Sequence, residues 1–249
     1  MLYGISSLSV IPMRIEPSDT SELISQILYG EFFKVLEQRK KWSRVRNAFD
    51  NYEGWVDNKQ FSLITQSEYE ILEDTPLQLS TDLIESIIDN LGHLTPIVAG
   101  SNISSCSFLD QKYEGNFTEN KKSRDNLIQV AFLYLNAPYL WGGKTPFGID
   151  CSGFTQMVYK ISGYKLLRDA SQQATQGEAL SFIEESSVGD LAFFDNDEGD
   201  IIHVGIIMKE NHIIHSHGKV RIDRIDHTGI FNVDTKKYSH KLRVIKKII

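Results

Sequence analysis

Cysteine is scarce in this chain: Cys106 and Cys151 are the only two in 249 residues. Two cysteines do not make a disulfide-stapled scaffold, so the fold has to rest on an apolar core. The 41% of hydrophobic residues is an ordinary share for such a core. No apolar run approaches the roughly 20 residues that cross a bilayer. Basic charge is also short, with 26 Lys and Arg against 33 Asp and Glu and a net charge of -7. That balance argues against a surface for phosphate backbones, so neither nucleic acid nor membrane is expected as a partner. The start, MLYGISSLSVIPMRIEPSD, lacks a basic segment followed by a long apolar one. A cytoplasmic protein with free thiols is the expectation, a processed exported form the alternative. Repeats and low-complexity tracts are missing, and nothing in the sequence signals an oligomeric state.

What is present divides in two. Residues 1–65 read as short strands broken by turns: "YGISSLSVIPMR" and "EFFKVLEQRKKWSRVRNAFDNYEGWVD" mix alternation with aromatic and β-branched residues. So many short strands in so few residues suggest a small β-barrel. Residues 80–91 change period. Ser80 or Thr81 can cap a helix, and Leu83, Ile84, Ile87, Ile88 and Leu91 recur at helical spacing. The polar stretch "TENKKSRDN", 118–126, is the expected junction. It sets a first domain at 1–118, with a helical insertion, and a second at 119–249. Beyond the junction, "LIQVAFLYLNAP" reads as a helix stopped before Pro138. "DCSGFTQMVYKISG" reads as a second helix, capped by aspartate and ended at Gly163. The strands "GDLAFFD", "IIHVGIIMKE", "HIIHSHGKVRID" and "HKLRVIKKI" follow, the order of an α+β domain.

Cys151 falls in the first turn of that second helix, where orphan N–H groups favour negative charge and thiol pKa values are commonly lowered. The bland reading is a small buried side chain. A cysteine nucleophile needs a base, and His203 stands inside the apolar strand "GDIIHVGIIM", where a buried imidazole requires a partner or a task. His215 and His217 share one face of the next strand, and His212 points the other way. Alternation does not choose between His215 and His217 as the group that orients the base. A zinc site needs three or four ligands at suitable spacing; with no HExxH and no CxxC, no metal is expected.

These blocks together, "PYLWGGKTPFGIDCSGF", "VGDLAFFD", "HVGIIM" and "IIHSHGKVRID", resemble the NlpC/P60 family of cell-wall cysteine peptidases over about residues 121–249. "MRIEPSDTSELISQILYGE" and "YEGWV" resemble the bacterial SH3 domains joined to this peptidase in dipeptidyl-peptidase VI-like enzymes. The resemblance implies an N-terminal SH3-like small β-barrel followed by a papain-like α+β peptidase domain with a central antiparallel sheet. It implies no cofactor and a peptidoglycan-derived peptide as substrate. The bond cut would join γ-D-glutamate to lysine or meso-diaminopimelate, with L-alanine free at its amine.

Carried over residue by residue, the resemblance makes Cys151 the nucleophile, His203 the general base and His215 its orienting partner. His215 is preferred because it directly follows the aliphatic pair Ile213-Ile214. Tyr139 is implied near the oxyanion, beside the Cys151 N–H. A carboxylate next to a thiolate raises the thiol pKa, so Asp150 makes sense as the partner of the substrate ammonium, as a helix cap, or as both. Ser152 is implied at the same end of the substrate. "LLRDASQQ" offers Arg168 for the α-carboxylate of D-glutamate and Asp169 for a cationic group. From the first domain, Glu31 and Tyr52 are the candidates for the amine-binding end. An exported hydrolase of intact wall and a non-catalytic wall-peptide-binding protein are the competing readings.

Overall fold

Alternation of apolar residues builds the first part of the chain. The computed structural model describes residues 1–118 and 123–249 and divides into two compact units, Met1–Asn120 and Lys121–Ile249. Residues 119–122 of the expected junction lie outside the described residues. The first unit opens with β1 (Leu2–Ile5), β2 (Val10–Arg14), β3 (Leu23–Leu28), β4 (Phe32–Gln38), β5 (Trp42–Asn47), β6 (Glu53–Asp57) and β7 (Ser62–Ile64). These strands pair antiparallel in the order β3-β2-β6-β5-β4-β1-β7, the sheet of a small barrel. Every second position turns inward, so Ile11 and Met13, Phe33 and Val35, with Val45 and Val56, fill the barrel with Ile27.

A short helix, α1 (Gln66–Asp74), then begins at Thr65. The Thr65 side chain accepts the Glu68 N–H, and Glu68 Oε2 accepts the Thr65 N–H in return. This reciprocal cap is written in the sequence as T-Q-S-E, a signal that the strand-oriented reading of this region passed over.

The helix expected at 80–91 does not form. The segment holds β8 (Leu79–Ser80) and β9 (Ile84–Asp89), and β9 lies between β10 (Leu94–Val98) and β11 (Gln111–Tyr113). Of the five apolar residues placed on one helical face, only Ile87 is buried, while Leu83, Ile84 and Leu91 are exposed. Isoleucine is stiff at χ1 and suits a pleated surface, and pairing on both sides of β9 decides the outcome. Ile87 packs with Tyr29, Ile97, Ile103 and Cys106 in a second small core. Cys106 is a free thiol there, and the Tyr29 hydroxyl donates to its sulfur at 3.7 Å. The unit closes with β12 (Phe117–Thr118) on β8.

The second unit begins with α2 (Arg124–Leu133), β13 (Lys144–Thr145), β14 (Gly148–Ile149), α3 (Cys151–Ile161) and α4 (Ala170–Gln173). Six of its remaining strands are β15 (Glu178–Leu180), β16 (Leu191–Asp195), β17 (Ile201–Ile207), β18 (His212–His217), β19 (Lys219–Ile225) and β20 (Gly229–Asn232). With β21 (Lys237–Lys247) they make one antiparallel sheet in the order β15-β21-β16-β17-β18-β19-β20, and β20 also pairs back to β21. All eleven residues of α3 are buried, as a helix apolar on most sides requires. It packs on β17 and β18 with α2 against it, which sets its N-terminus over the middle of the sheet. Among the described residues no helix is long and apolar enough to cross a membrane.

Candidate active site

Strand periodicity brings the histidines together. Gly205 of β17 is opposite His215 of β18, so His203, His215 and His217 all project from one face. His215 in turn is opposite Arg221 of β19, which places Arg221 and Asp223 on that same face. Gly205 leaves the necessary space: a Cβ there would lie 2.9 Å from the His215 Cβ. Between the two candidates that alternation left open, the hydrogen bond chooses His215, whose Nδ1 is 2.8 Å from His203 Nε2.

The protons of this pair follow from its far end. His215 Nε2 lies 3.0 Å from Asp223 Oδ2, and an ionised carboxylate only accepts. Asp223 is held well below the usual carboxylate range by His215, by Arg221 and by the Val233 N–H, which together outweigh its burial. His215 therefore carries its proton on Nε2 and accepts at Nδ1. His203 then donates from Nε2, and its Nδ1 is left as a bare lone pair. Asp223 was passed over in the sequence, although R-x-D at alternate positions after the histidines was its signal. Burial holds His203 well below its ordinary pKa, reinforced by His215, His240 and His217, so the resting imidazole is neutral.

Cys151 starts α3 behind its cap Asp150, and α3 packs on β17, the strand of His203. The thiol is thus seated against the strand that carries the base. The lowered pKa expected at a helix N-terminus is not found. Burial first, and the Asp150 carboxylate second, push the Cys151 thiol up to about 12, against hydrogen bonds from Val204 and Ser152 and the charge of Arg168. Both shifts favour the neutral forms, thiol on Cys151 and imidazole on His203.

Asp150 and Arg168 meet each other. The Arg168 fork reaches both Asp150 oxygens, at 3.0 and 2.6 Å, and its Nη1 also donates to Ser152 Oγ at 3.0 Å. Asp150 further accepts the Gly142 and Gly153 N–H groups at 2.8 and 2.6 Å. Asp150 is thus a helix cap and a buried counter-charge to Arg168. The Arg168 fork is turned on Asp150 and Ser152. Asp169 follows at the head of α4, half-buried, with its N–H donated to Gln172 Oε1. Tyr139 stands by the thiol: burial, then the charges of Cys151 and Asp150, push its hydroxyl up to about 12.

Glu31 and Tyr52 belong to the first unit. Glu31 is buried and accepts the Leu28 N–H at 2.9 Å, closing the turn between β3 and β4. Tyr52 is partly buried against the barrel core. Among the described residues no group of three or more His, Cys, Asp and Glu side chains is arranged to hold a metal ion.

The profile of the NlpC/P60 family matches residues 136–239, which span Cys151, His203 and His215. The profile of the bacterial dipeptidyl-peptidase SH3 domain matches residues 13–61. The chain carries an NlpC/P60 domain behind a bacterial SH3 domain. It is a cysteine peptidase. Residues 13–61 run from β2 to just short of β7 in the barrel, and the NlpC/P60 match covers β17 and β18, which carry His203 and His215.

Relatives include the γ-D-glutamyl-L-lysine dipeptidyl-peptidase of Bacillus subtilis, 28% identical over 77% of this chain and 71% of that one. Another is dipeptidyl-peptidase 6 of Lysinibacillus sphaericus, 29% identical over 81% and 82%. In fold, the chain is similar to the crystal structure of an NlpC/P60 family protein from Bacillus cereus. The TM-score is 0.78 with 20% identity, and 99% of each chain is covered.

Proposed function

We propose that this NlpC/P60 peptidase hydrolyses the bond between γ-D-glutamate and an L-diamino acid in peptidoglycan-derived peptides that keep a free N-terminal L-alanine. The observation that carries the chemistry is the buried relay Asp223–His215–His203, which leaves a basic Nδ1 on the strand against which Cys151 is seated. The bond is suggested by the relatives named γ-D-glutamyl-L-lysine dipeptidyl-peptidase.

In this mechanism the thiol proton passes to His203 Nδ1 as the sulfur attacks the γ-carbonyl carbon. Because thiol and imidazole both rest neutral, transfer and attack run together, which avoids a lone buried thiolate. The carbonyl oxygen becomes an oxyanion and takes the Cys151 N–H, which has no partner within its helix, together with the Tyr139 hydroxyl. His203 gives its proton to the leaving amine of the diamino acid, and the C–N bond breaks to leave a thioester. Water, losing a proton to the same Nδ1, then hydrolyses the thioester and restores the thiol. Asp169 is the carboxylate assigned to the L-alanine ammonium, since Asp150 is engaged by Arg168. A role in trimming released wall peptides inside the cell completes the reading.

The test is incubation of L-Ala-γ-D-Glu-L-Lys with the wild type and with Cys151→Ala. Release of lysine by the wild type alone supports the assignment. Acetylation of the alanine amine is expected to abolish cleavage; equal cleavage of the acetylated peptide would replace the restricted site by an open endopeptidase. Cell fractionation decides the compartment.

A further inference from the structure

A third ring touches the base from a strand that the relay does not use. His240 of β21 lies face to face with His203, ring centroids 4.0 Å apart and planes 19° from parallel. The hydrogen bond from His203 Nε2 to His215 fixes an edge of the ring but allows tilt about that bond. A parallel ring at stacking distance removes the tilt. We propose that His240 is a positioning residue, holding the plane of the His203 imidazole while it takes the thiol proton. The inference rests on the proposed role of His203 as base and adds a part to it.

The surroundings of His240 fit a fixed wall rather than a mobile side chain. Its ring also meets His217 edge-on at 4.8 Å, Phe194 of β16 at 5.9 Å and His215 at 6.0 Å. Ser239 Oγ is 2.9 Å from its Nδ1. Its backbone is clamped by β20, where Gly229 has φ 146 and a Cβ would lie 1.8 Å from the His240 carbonyl oxygen. The groups that face it are His203 from β17, His215 and His217 from β18 and Asp223 from β19, with apolar Ile230 opposite it on β20. Burial leads, the His215 and His217 charges add to it, and Asp223 opposes; the ring is driven down to about 3 and is neutral at working pH.

His240→Phe keeps a flat ring and His240→Ala removes it. Both are read by kcat and KM on the tripeptide, and by the pH dependence of Cys151 alkylation with iodoacetamide, scored by mass against Cys106. For His240→Ala we expect kcat to fall about tenfold with KM unchanged, and the alkylation profile to move by about one pH unit, its equivalent. His240→Phe restores both to within about threefold, which a role confined to general folding would not predict. An alkylation profile identical in wild type and His240→Ala, or a Phe variant as impaired as Ala in a protein of equal thermal stability, overturns the proposal. If the wild type leaves the tripeptide uncut, the proposed substrate falls, and the alkylation profile still judges His240.

Discussion

Replacing Asp223 by asparagine inverts the proton relay at its buried end. Asp223 is wholly buried and accepts His215 Nε2 at 3.0 Å, the two Arg221 arms at 2.7 and 2.9 Å and the Val233 N–H at 3.0 Å. Asparagine keeps one acceptor oxygen, which Arg221 and Val233 claim, and turns its NH2 toward His215. His215 must then accept at Nε2 and donate from Nδ1. That forces the His203 proton onto its own Nδ1, and the base nitrogen is lost. The same inversion in a serine-histidine-aspartate triad costs about 10,000-fold in kcat. Here an intervening imidazole can relax, so kcat/KM should fall by about a hundred- to a thousand-fold, or about 2.7–4 kcal/mol of barrier. The lost charge-assisted bond to Arg221 should cost about 1–3 kcal/mol of stability, leaving a folded protein. Initial rates of lysine release, beside urea unfolding followed by circular dichroism, measure both. A folded variant within threefold of the wild-type kcat/KM would refute the assignment of protons in this relay.

Gly205→Ala places a Cβ 2.7 Å from Ile213 Cδ1 and 2.9 Å from His215 Cβ, so it should cost about 1–3 kcal/mol in urea unfolding and impair kcat more than KM. Arg168→Met leaves the Asp150 carboxylate buried without its counter-charge and should destabilise the fold by about 3–5 kcal/mol; an unchanged urea midpoint would contradict that pairing. Stability should also fall as pH drops below about 6.5, because His203, His215 and His240 are kept neutral in the fold while the unfolded chain takes protons. The slope approaches about 1.4 kcal/mol per pH unit for each histidine. Asp223 adds a further loss only in stronger acid, as pH falls through its depressed pKa. A flat urea midpoint between pH 7 and pH 5 would contradict the buried neutral cluster.

Much of the site was written in short motifs. D-C-S-G-F set a capping carboxylate before a thiol at a helix start, and alternation put His215 and His217 on one face of a strand. What alternation cannot supply is depth: it left His215 and His217 equivalent, and only Gly205, by lacking a side chain, gives His215 the position beside the base. Asp223 closes the block IIHSHGKVRID, where it reads as one more strand residue until β18 and β19 pair; His240 escaped because it arrives from β21, across the sheet and outside the motif. The pairing of Asp150 with Arg168 was hidden for a related reason. Each residue read alone suggests a substrate contact, and their mutual distance is set by the loop that leads into α4. In the first unit, the isoleucines of 84–89 fit either period, and strand pairing on both sides of β9 settled them. The capped helix at Thr65 was legible in four letters but small enough to be absorbed into a run of strands.

In the proposed mechanism Cys151 forms a covalent acyl-enzyme under the control of His203. Intact-mass spectrometry of protein quenched in acid during turnover of L-Ala-γ-D-Glu-L-Lys tests it most directly. The account predicts an L-alanyl-γ-D-glutamyl adduct on the peptide that contains Cys151, and neither adduct nor cleavage with Cys151→Ala. Lysine release by Cys151→Ala at the wild-type rate would contradict it.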